Sequence, residues 1–340
     1  MEAAAKAAAA AADTPRTHQT RCAIATTSCA APGVDVLCWW ATYHIKLGVD
    51  TIYLYVHDAS VVEPKKKAQG VAAPSPLLLK VQERLKALNL ERQVLALPAL
   101  SHQKGAGTVD VVAMQERDVH DAIRRARSQG TDWLFHVDDD ELLHFGEPWE
   151  SVVARVPPSA DCIVVRNLEA VPDGEQSDFT TISRFAHADE DGEPFLAYIN
   201  GKAGGRVGRC KEDGPHRFTG EEWEAPPCVA AVLHFESCPY TRWRDKFVHY
   251  GKLTSEAKLK TIPFPFYVDS IRYCREHAAD DARLRAWWRR RKMRYYAPFA
   301  DQIETIEHLA LSKKRRRSPR FLPDEPLSAR PAAPIFRGED

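Results

Sequence analysis

The run Trp133-Leu134-Phe135-His136-Val137-Asp138-Asp139-Asp140-Glu141-Leu142-Leu143 carries an apolar, strand-favouring segment straight into four consecutive carboxylates. Like charges at a strand end repel one another, so burying them calls for a cation. Hard divalent ions such as Mg²⁺ and Mn²⁺ prefer carboxylate oxygens, which makes Asp138 and Asp140 candidate metal ligands. The competing reading is a solvated acidic turn after an edge strand. Along an extended chain Asp138 and Asp140 point to one face and Asp139 to the other. Glu141 then points with Asp139 and is expected to brace the turn.

The elements before this run bear on the choice. Cys22 to Thr26 reads as a short strand, and Val34, Leu37, Cys38, Ala41 and Ile45 recur at helical spacing up to Gly48, which suits a left-handed helix end. Thr51 to Val56 is β-branched and aromatic, hence a second strand. Strand, helix, strand predicts two parallel strands with a right-handed crossover. The second strand ends in His57-Asp58-Ala59-Ser60, at the edge where open α/β sheets bind ligands. Pro76 to Leu88 predicts a helix, Gln93 to Leu97 a strand, and Val112 to Gln129 an amphipathic helix stopped by Gly130. The acidic strand follows, so Asp138 should emerge on the same edge as Asp58.

Beyond the run, Trp149 to Val156 reads as helix and Cys162 to Val165 as strand, while residues 172–194 read as loop. Asn200-Gly201-Lys202 predicts a hairpin turn first, although glycines beside a lysine also suit an approach to an anion. Val229 to Phe235 reads as a strand that sets His234 beside Glu236; a strand histidine is ordinarily structural. Val268 to Met293 is helix-rich, and the tryptophan–arginine run from Trp287 reads as an amphipathic exterior. Four segments are expected: residues 1–20 as a loose, alanine-rich start, 21–260 as the main domain, 261–312 as a helical extension, and 313–340 as a basic, proline-rich tail.

Lysine plus arginine (47) balances aspartate plus glutamate (47), so net charge argues for neither a nucleic-acid nor an acidic partner, and no nucleic acid is expected. The eight cysteines form no Cys-x-x-Cys pair, which argues against a zinc site. No run approaches the roughly 18 apolar residues that span a bilayer. The alanine-rich start suits a helical spacer better than a secretory signal.

Several blocks, taken together and in order, resemble family 2-like and family 92-like glycosyltransferases. Trp39-Trp40-Ala41-Thr42-Tyr43-His44-Ile45-Lys46-Leu47-Gly48-Val49 is similar to their tryptophan, tyrosine–histidine and glycine–valine block before a strand. His57-Asp58-Ala59-Ser60 resembles their Asp-Asn-x-Ser turn, and Trp133 to Leu142 their acidic metal motif. Tyr198 to Lys202, Gly214 to Phe218, and Leu233-His234-Phe235-Glu236-Ser237 followed by Trp243 and Lys246 resemble later blocks. The first strand departs from the pattern, ending in Thr26-Thr27-Ser28 where Asn-Glu is usual, and Cys38 stands for an acidic residue.

The resemblance implies a GT-A fold: a Rossmann-like, mostly parallel sheet flanked by helices, with a mixed acceptor-side region and a helical C-terminal tail. It implies transfer of a sugar from a nucleotide-sugar donor, a UDP-sugar foremost, to a hydroxyl of a glycan or glycoprotein, with Mn²⁺ or Mg²⁺. It further implies metal ligands Asp138, Asp140 and His234; donor contacts at Thr26, Asp58, Ser60, Arg117, Asp138 and Lys202; and acceptor-side residues Asn200, His216, Trp243 and Lys246. The catalytic base is left open among Asp213, Glu221, Glu222 and Glu236. A Golgi or secretory lumen goes with the resemblance, the anchor then being absent from this sequence or supplied by a partner. The alternatives are a non-catalytic module of this fold that binds carbohydrate or nucleotide, and a metal-dependent phosphohydrolase.

Overall fold

A computed structural model of the chain describes residues 19–29, 33–58, 74–100, 111–189, 192–214 and 216–306. The alanine-rich start, Ser60, the lysine-rich loop around residues 65–67 and the basic and proline-rich tail all lie outside these residues.

The alternation in the first strands decides the architecture. In β1 (Cys22–Ser28), Cys22 and Ile24 face one apolar cluster, and Ala23 and Ala25 face another. In β2 (Thr51–Val56), Ile52, Leu54 and Val56 join the first cluster, and Tyr53 and Tyr55 the second. A strand buried on both faces belongs in a covered sheet, and the connections make that sheet parallel. Helices α1 (Val34–Leu47) and α2 (Pro76–Ala87) pack on the first face, and α3 (Val111–Ser128) on the second. Gly48 closes α1 at φ 105°, the left-handed end expected there.

With β3 (Val94–Pro98), β4 (Trp133–His136), β6 (Cys162–Val165), β9 (Lys202–Arg206) and β12 (Glu222–Ala225), the first sheet has the order β12-β6-β9-β4-β1-β2-β3. Every pairing is parallel except the two made by β9. The chain runs outward from β1 through β2 to β3, then returns to place β4 on the other side of β1. That reversal is a topological switch point, whose carboxyl side is the usual ligand crevice of such sheets. As expected, the ends of β2 and β4 bring Asp58 and Asp138 to one edge.

Two elements differ from expectation. Asn200-Gly201 does not turn a hairpin, because Phe195 to Ile199 is not a strand. Instead β9 slots antiparallel between β4 and β6 and delivers Lys202 to the carboxyl edge. Its glycines make this possible: a Cβ on Gly204 would lie 2.5 Å from the Phe135 ring, and one on Gly201, at φ +63°, 2.0 Å from the Val165 carbonyl oxygen. Residues 172–194 also contain a strand, β8 (Arg184–Ala186).

A second sheet, ordered β14-β8-β7-β13-β5, is built from β5 (Glu141–Phe145), β7 (Asn167–Ala170), β8, β13 (Ala230–His234) and β14 (Ile303–Thr305). The chain passes from the first sheet to the second three times, between β4 and β5, between β6 and β7, and between β12 and β13. The first passage is the acidic run itself. Helices α5 (Tyr240–Leu253), α7 (Pro265–His277) and α8 (Asp281–Trp288), with the short α4 (Trp149–Val153) and α6 (Glu256–Leu259) elsewhere along the chain, complete the helical set. Residues on both sides of position 260 share one apolar cluster there, including Trp243, Phe247, Phe266 and Trp287. Trp287 and Trp288 are therefore core residues, and only the arginines after them face outward. A single π turn (Arg289–Met293) swings Lys292 inward, where it meets buried Glu169 at 3.0 Å. No helix among the described residues is long and apolar enough to cross a membrane.

One latch holds α1 to the second sheet. His44 Nδ1–H donates to the Trp40 carbonyl at 2.9 Å, and the Leu143 amide donates to Nε2 at 3.0 Å, so the ring is neutral. Burial lowers its pKa from 6.5 to about 3 despite the Trp40 carbonyl. Below pH 6.5 the unfolded chain therefore takes up a proton that the native ring refuses. The latch's contribution is complete above that pH and declines as pH falls toward about 3. Relative to His44→Gln, the parent should lose up to about 1.4 kcal/mol of extra stability per pH unit across that window, measured by denaturant unfolding; parallel pH profiles would contradict the neutral latch.

Candidate functional site

The acidic run is a turn rather than an extended segment. The Glu141 amide donates to the Asp138 carbonyl at 3.1 Å, and the Asp138 amide donates to Glu141 Oε2 at 2.7 Å. Glu141 thus braces the turn, but the expected alternation of the aspartates does not hold. Asp138 turns to one side with Glu141, and Asp139 and Asp140 turn to the other.

Each side has its own cation. Lys202, fully buried, stands 2.6 Å from Asp138 Oδ2 and 3.6 Å from Glu141 Oε2. Gln115 of α3 donates to the other Asp138 oxygen at 2.8 Å. Burial works to raise the Asp138 carboxyl, but Lys202 and His136 outweigh it and hold it well below the usual carboxylate range. Burial pushes the Glu141 carboxyl upward. On the other side Arg242, at the start of α5, reaches Asp139 at 2.6 Å and Asp140 at 3.5 Å. Ser28 at the end of β1 donates to Asp139 at 2.5 Å, which spans the switch point.

The Phe235 amide donates to the Asp140 carbonyl at 2.8 Å, and this sets the end of β13 beside the turn. There Asp140, His234 and Glu236 form a group that could hold a metal ion, their ligand atoms all within 4.8 Å of one another. The buried imidazole tests the fit: His234 Nδ1 has no hydrogen-bond partner among the described residues, and Nε2 lies 3.6 Å from Glu236. A ring buried with its nitrogens so poorly satisfied is one that a cation would complete. Glu236 is aimed by its neighbours: Ser237, left-handed at φ 58°, donates to one carboxylate oxygen at 2.5 Å, and Tyr267 donates to the other at 2.5 Å. Burial opposes its charge, yet Lys246 and His234 hold the carboxyl down to about 2. The acidic and histidine donors suit a hard or borderline divalent ion.

The other expected residues fall into three groups. Asp58, at the same edge, accepts from the Leu77 amide at 3.1 Å; half-buried Arg117 lies on α3; Thr26 is buried within β1. His216 donates to the Gly201 carbonyl at 3.0 Å and abuts Tyr198, whose ring also lies 5.0 Å from that of His234, with Asn200 half-buried nearby. Lys246 lies 3.5 Å from Glu236 and 2.8 Å from Tyr267. Others do not converge. Trp243 cannot stack on a sugar, because it is fully buried, stacked on Trp287, and bonded to Ser270. Glu221 and Glu222 stand at the start of β12, which runs parallel to β6, and therefore at the opposite edge of the sheet; they cannot serve as the base. Asp213 is exposed on the two-stranded ribbon of β10 (Glu212–Asp213) and β11 (Arg217–Phe218), opposite Arg217. Arg242, Gln115, Ser28 and Tyr267 went unmarked by sequence pattern, since each is a single polar residue in an otherwise ordinary helix or strand.

No protein-family model matches the chain. Two Arabidopsis thaliana proteins described as glycosyltransferase-like are similar to it in sequence. One is 22% identical over 370 residues, covering 87% of this chain and 77% of that protein. The other is 25% identical over 252 residues, covering 65% of this chain and 48% of that protein. Among solved structures, a Staphylococcus aureus TarS crystal structure aligns over 77% of this chain and 73% of its own at 7% identity and a TM-score of 0.31. A putative glucose-1-phosphate thymidylyltransferase from Bacillus anthracis, in complex with a sucrose, aligns over 74% and 83% at 10% identity and 0.26. At such scores neither alignment carries weight beside the topology itself.

Replacing Lys202 by Met should cost about 3–5 kcal/mol in denaturant unfolding, because Asp138 is left part-buried without its cation. Adding Asp138→Asn should recover part of that loss; a double variant no more stable than the single one would place the Lys202 effect elsewhere.

Proposed function

We propose that the chain is a metal-dependent glycosyltransferase that moves a sugar from a nucleotide-sugar donor, a UDP-sugar foremost, to an acceptor hydroxyl. The observation that carries this reading is the Asp140–His234–Glu236 group beside the switch point of a mostly parallel sheet. Similarity to two glycosyltransferase-like proteins supports glycosyl transfer as the class of reaction.

In this reading Asp140, His234 and Glu236 hold Mn²⁺ or Mg²⁺, whose charge would stabilise the departing nucleoside diphosphate. This differs from the set Asp138, Asp140 and His234 suggested by resemblance: Asp138 is engaged by Lys202 and Gln115, and Glu236 takes its place. Asp138 then serves the nucleotide as a fixed acceptor for ribose hydroxyls, with Asp58 at the same sheet edge. Lys246, one-fifth exposed, and Arg242 add positive charge where the diphosphate departs. The acceptor oxygen attacks the anomeric carbon as the bond to phosphate breaks, through a transition state of oxocarbenium character. Glu236, its carboxylate held charged by Lys246 and His234 and aimed by Ser237 and Tyr267, acts as a ligand in this reading.

The test is a panel of nucleotide sugars with Mn²⁺, scored for nucleoside diphosphate release and for thermal stabilisation. Saturating Mn²⁺ at about a hundredfold over its Kd should add about 2.7 kcal/mol to stability. That gain should vanish in Asp140→Asn and His234→Ala and persist in Glu221→Gln. Stabilisation by a donor without release would favour a binding module, and metal stabilisation unchanged in Asp140→Asn would sink the ligand assignment.

A further inference from the structure

An open groove of about 490 Å³ lies between α1 and α2, away from the carboxylate cluster, lined by Asp35, Trp39, Thr42, Tyr43, Lys46 and Arg84 among others. The α1 residues recur at spacings of three and four and so share the outward face of the helix, while Trp40, Ala41 and His44 turn into the core. Trp39 and Tyr43 hold their rings 5.8 Å apart at 23°, and Trp39 stacks on Phe179 at 5.7 Å and 10°. These three rings form a near-parallel row. Phe179 also borders a smaller hollow of about 90 Å³, together with Val36, Asp178, Thr241, Arg242 and Asp245. Arg242 is the residue that grips Asp139 and Asp140. The aromatic row thus runs from the α1–α2 groove to the hollow beside Arg242.

We propose that this track binds an oligosaccharide, in the position of an extended acceptor chain. Only the acceptor role rests on the glycosyltransferase reading; binding stands on the groove's own chemistry. Aromatic faces are electron-rich, and the C–H face of a pyranose presents weakly positive hydrogens to them. Around the rings stand donors and acceptors for hydroxyls: the Asp35–Arg84 pair at 2.7 Å, Lys46 as a donor, and the Thr42 hydroxyl, which donates to the Cys38 carbonyl and is left to accept. An amphipathic helix would want an unbroken apolar trough, which Asp35, Lys46 and Arg84 interrupt. From Asp35 to Lys46 the helix rises about 16 Å, and the groove falls within the size range of ordinary small-ligand sites.

The experiment titrates the full chain, without metal or donor, with linear β-linked gluco-, galacto-, manno- and xylo-oligosaccharides from tri- to pentasaccharide, read by tryptophan fluorescence and calorimetry. At least one series should bind, more tightly with length. Trp39→Ala should weaken it about tenfold or more, and Arg84→Ala should weaken it by about threefold or more. Trp39→Phe, which keeps a ring against Phe179, separates lost binding from lost folding and should retain most of the affinity. No binding at about 10 mM of any series, or binding indifferent to Trp39→Phe, Trp39→Ala and Arg84→Ala alike, overturns the proposal. So does sedimentation showing a dimer in which Trp39→Ala restores the monomer, since a second copy would then occupy the groove. Saccharide binding that survives in a protein unable to release diphosphate from any donor keeps the groove and removes the transferase reading; donor turnover with no saccharide binding does the reverse.

Discussion

Buried carboxylates must be met by cations, and the junction between the two sheets gathers more of them than any other part of the described fold. Asp138 and Glu141 are met by Lys202, Asp139 and Asp140 by Arg242, Glu236 by Lys246, and Glu169 by Lys292. The four cations come from a strand, from one helix twice, and from a π turn near residue 290. An ion pair of this kind adds little net stability, because desolvation offsets most of the attraction, but losing one partner is costly. The pairs therefore act mainly as constraints on position, drawing distant segments to one point.

The same compensation shapes the candidate metal group. Asp140 is shared with Arg242 and Glu236 with Lys246, so an arriving dication meets carboxylates whose charge is partly balanced already. His234 is the exception, an imidazole whose Nδ1 has no hydrogen-bond partner among the described residues. It is the residue whose surroundings change most in character if the group is filled.

Much of the framework is legible in the amino-acid sequence because it rests on local periodicity. Alternation in β1 and β2, helical spacing from Val34, and Gly48 as a helix stop all express backbone geometry that needs no tertiary information. Convergence of Asp58 and Asp138 on one edge follows from the parallel connections. What local pattern cannot reveal is pairing at a distance. The aspartates do not alternate because Glu141 folds back on the Asp138 amide. The glycines after Asn200 mark an inserted strand, where the crowding comes from Phe135 and Val165. Trp243 is placed on the acceptor side only by resemblance, and its packing on Trp287 makes it core. Lys292 sits in an arginine run that reads as solvated, until a π turn reverses it.

The Lys292–Glu169 pair carries a consequence for biosynthesis. Glu169 lies in register with His234 across β7 and β13, and its cation arrives 123 residues later. A nascent chain can complete the first sheet once Ala225 has emerged, and β13 soon after. Until Lys292 leaves the ribosome, however, the strand beside His234 would have to bury an uncompensated carboxylate, and chains normally settle N-terminal parts first. The second sheet thus finds the cation for Glu169 only in the segment that follows its last long helices.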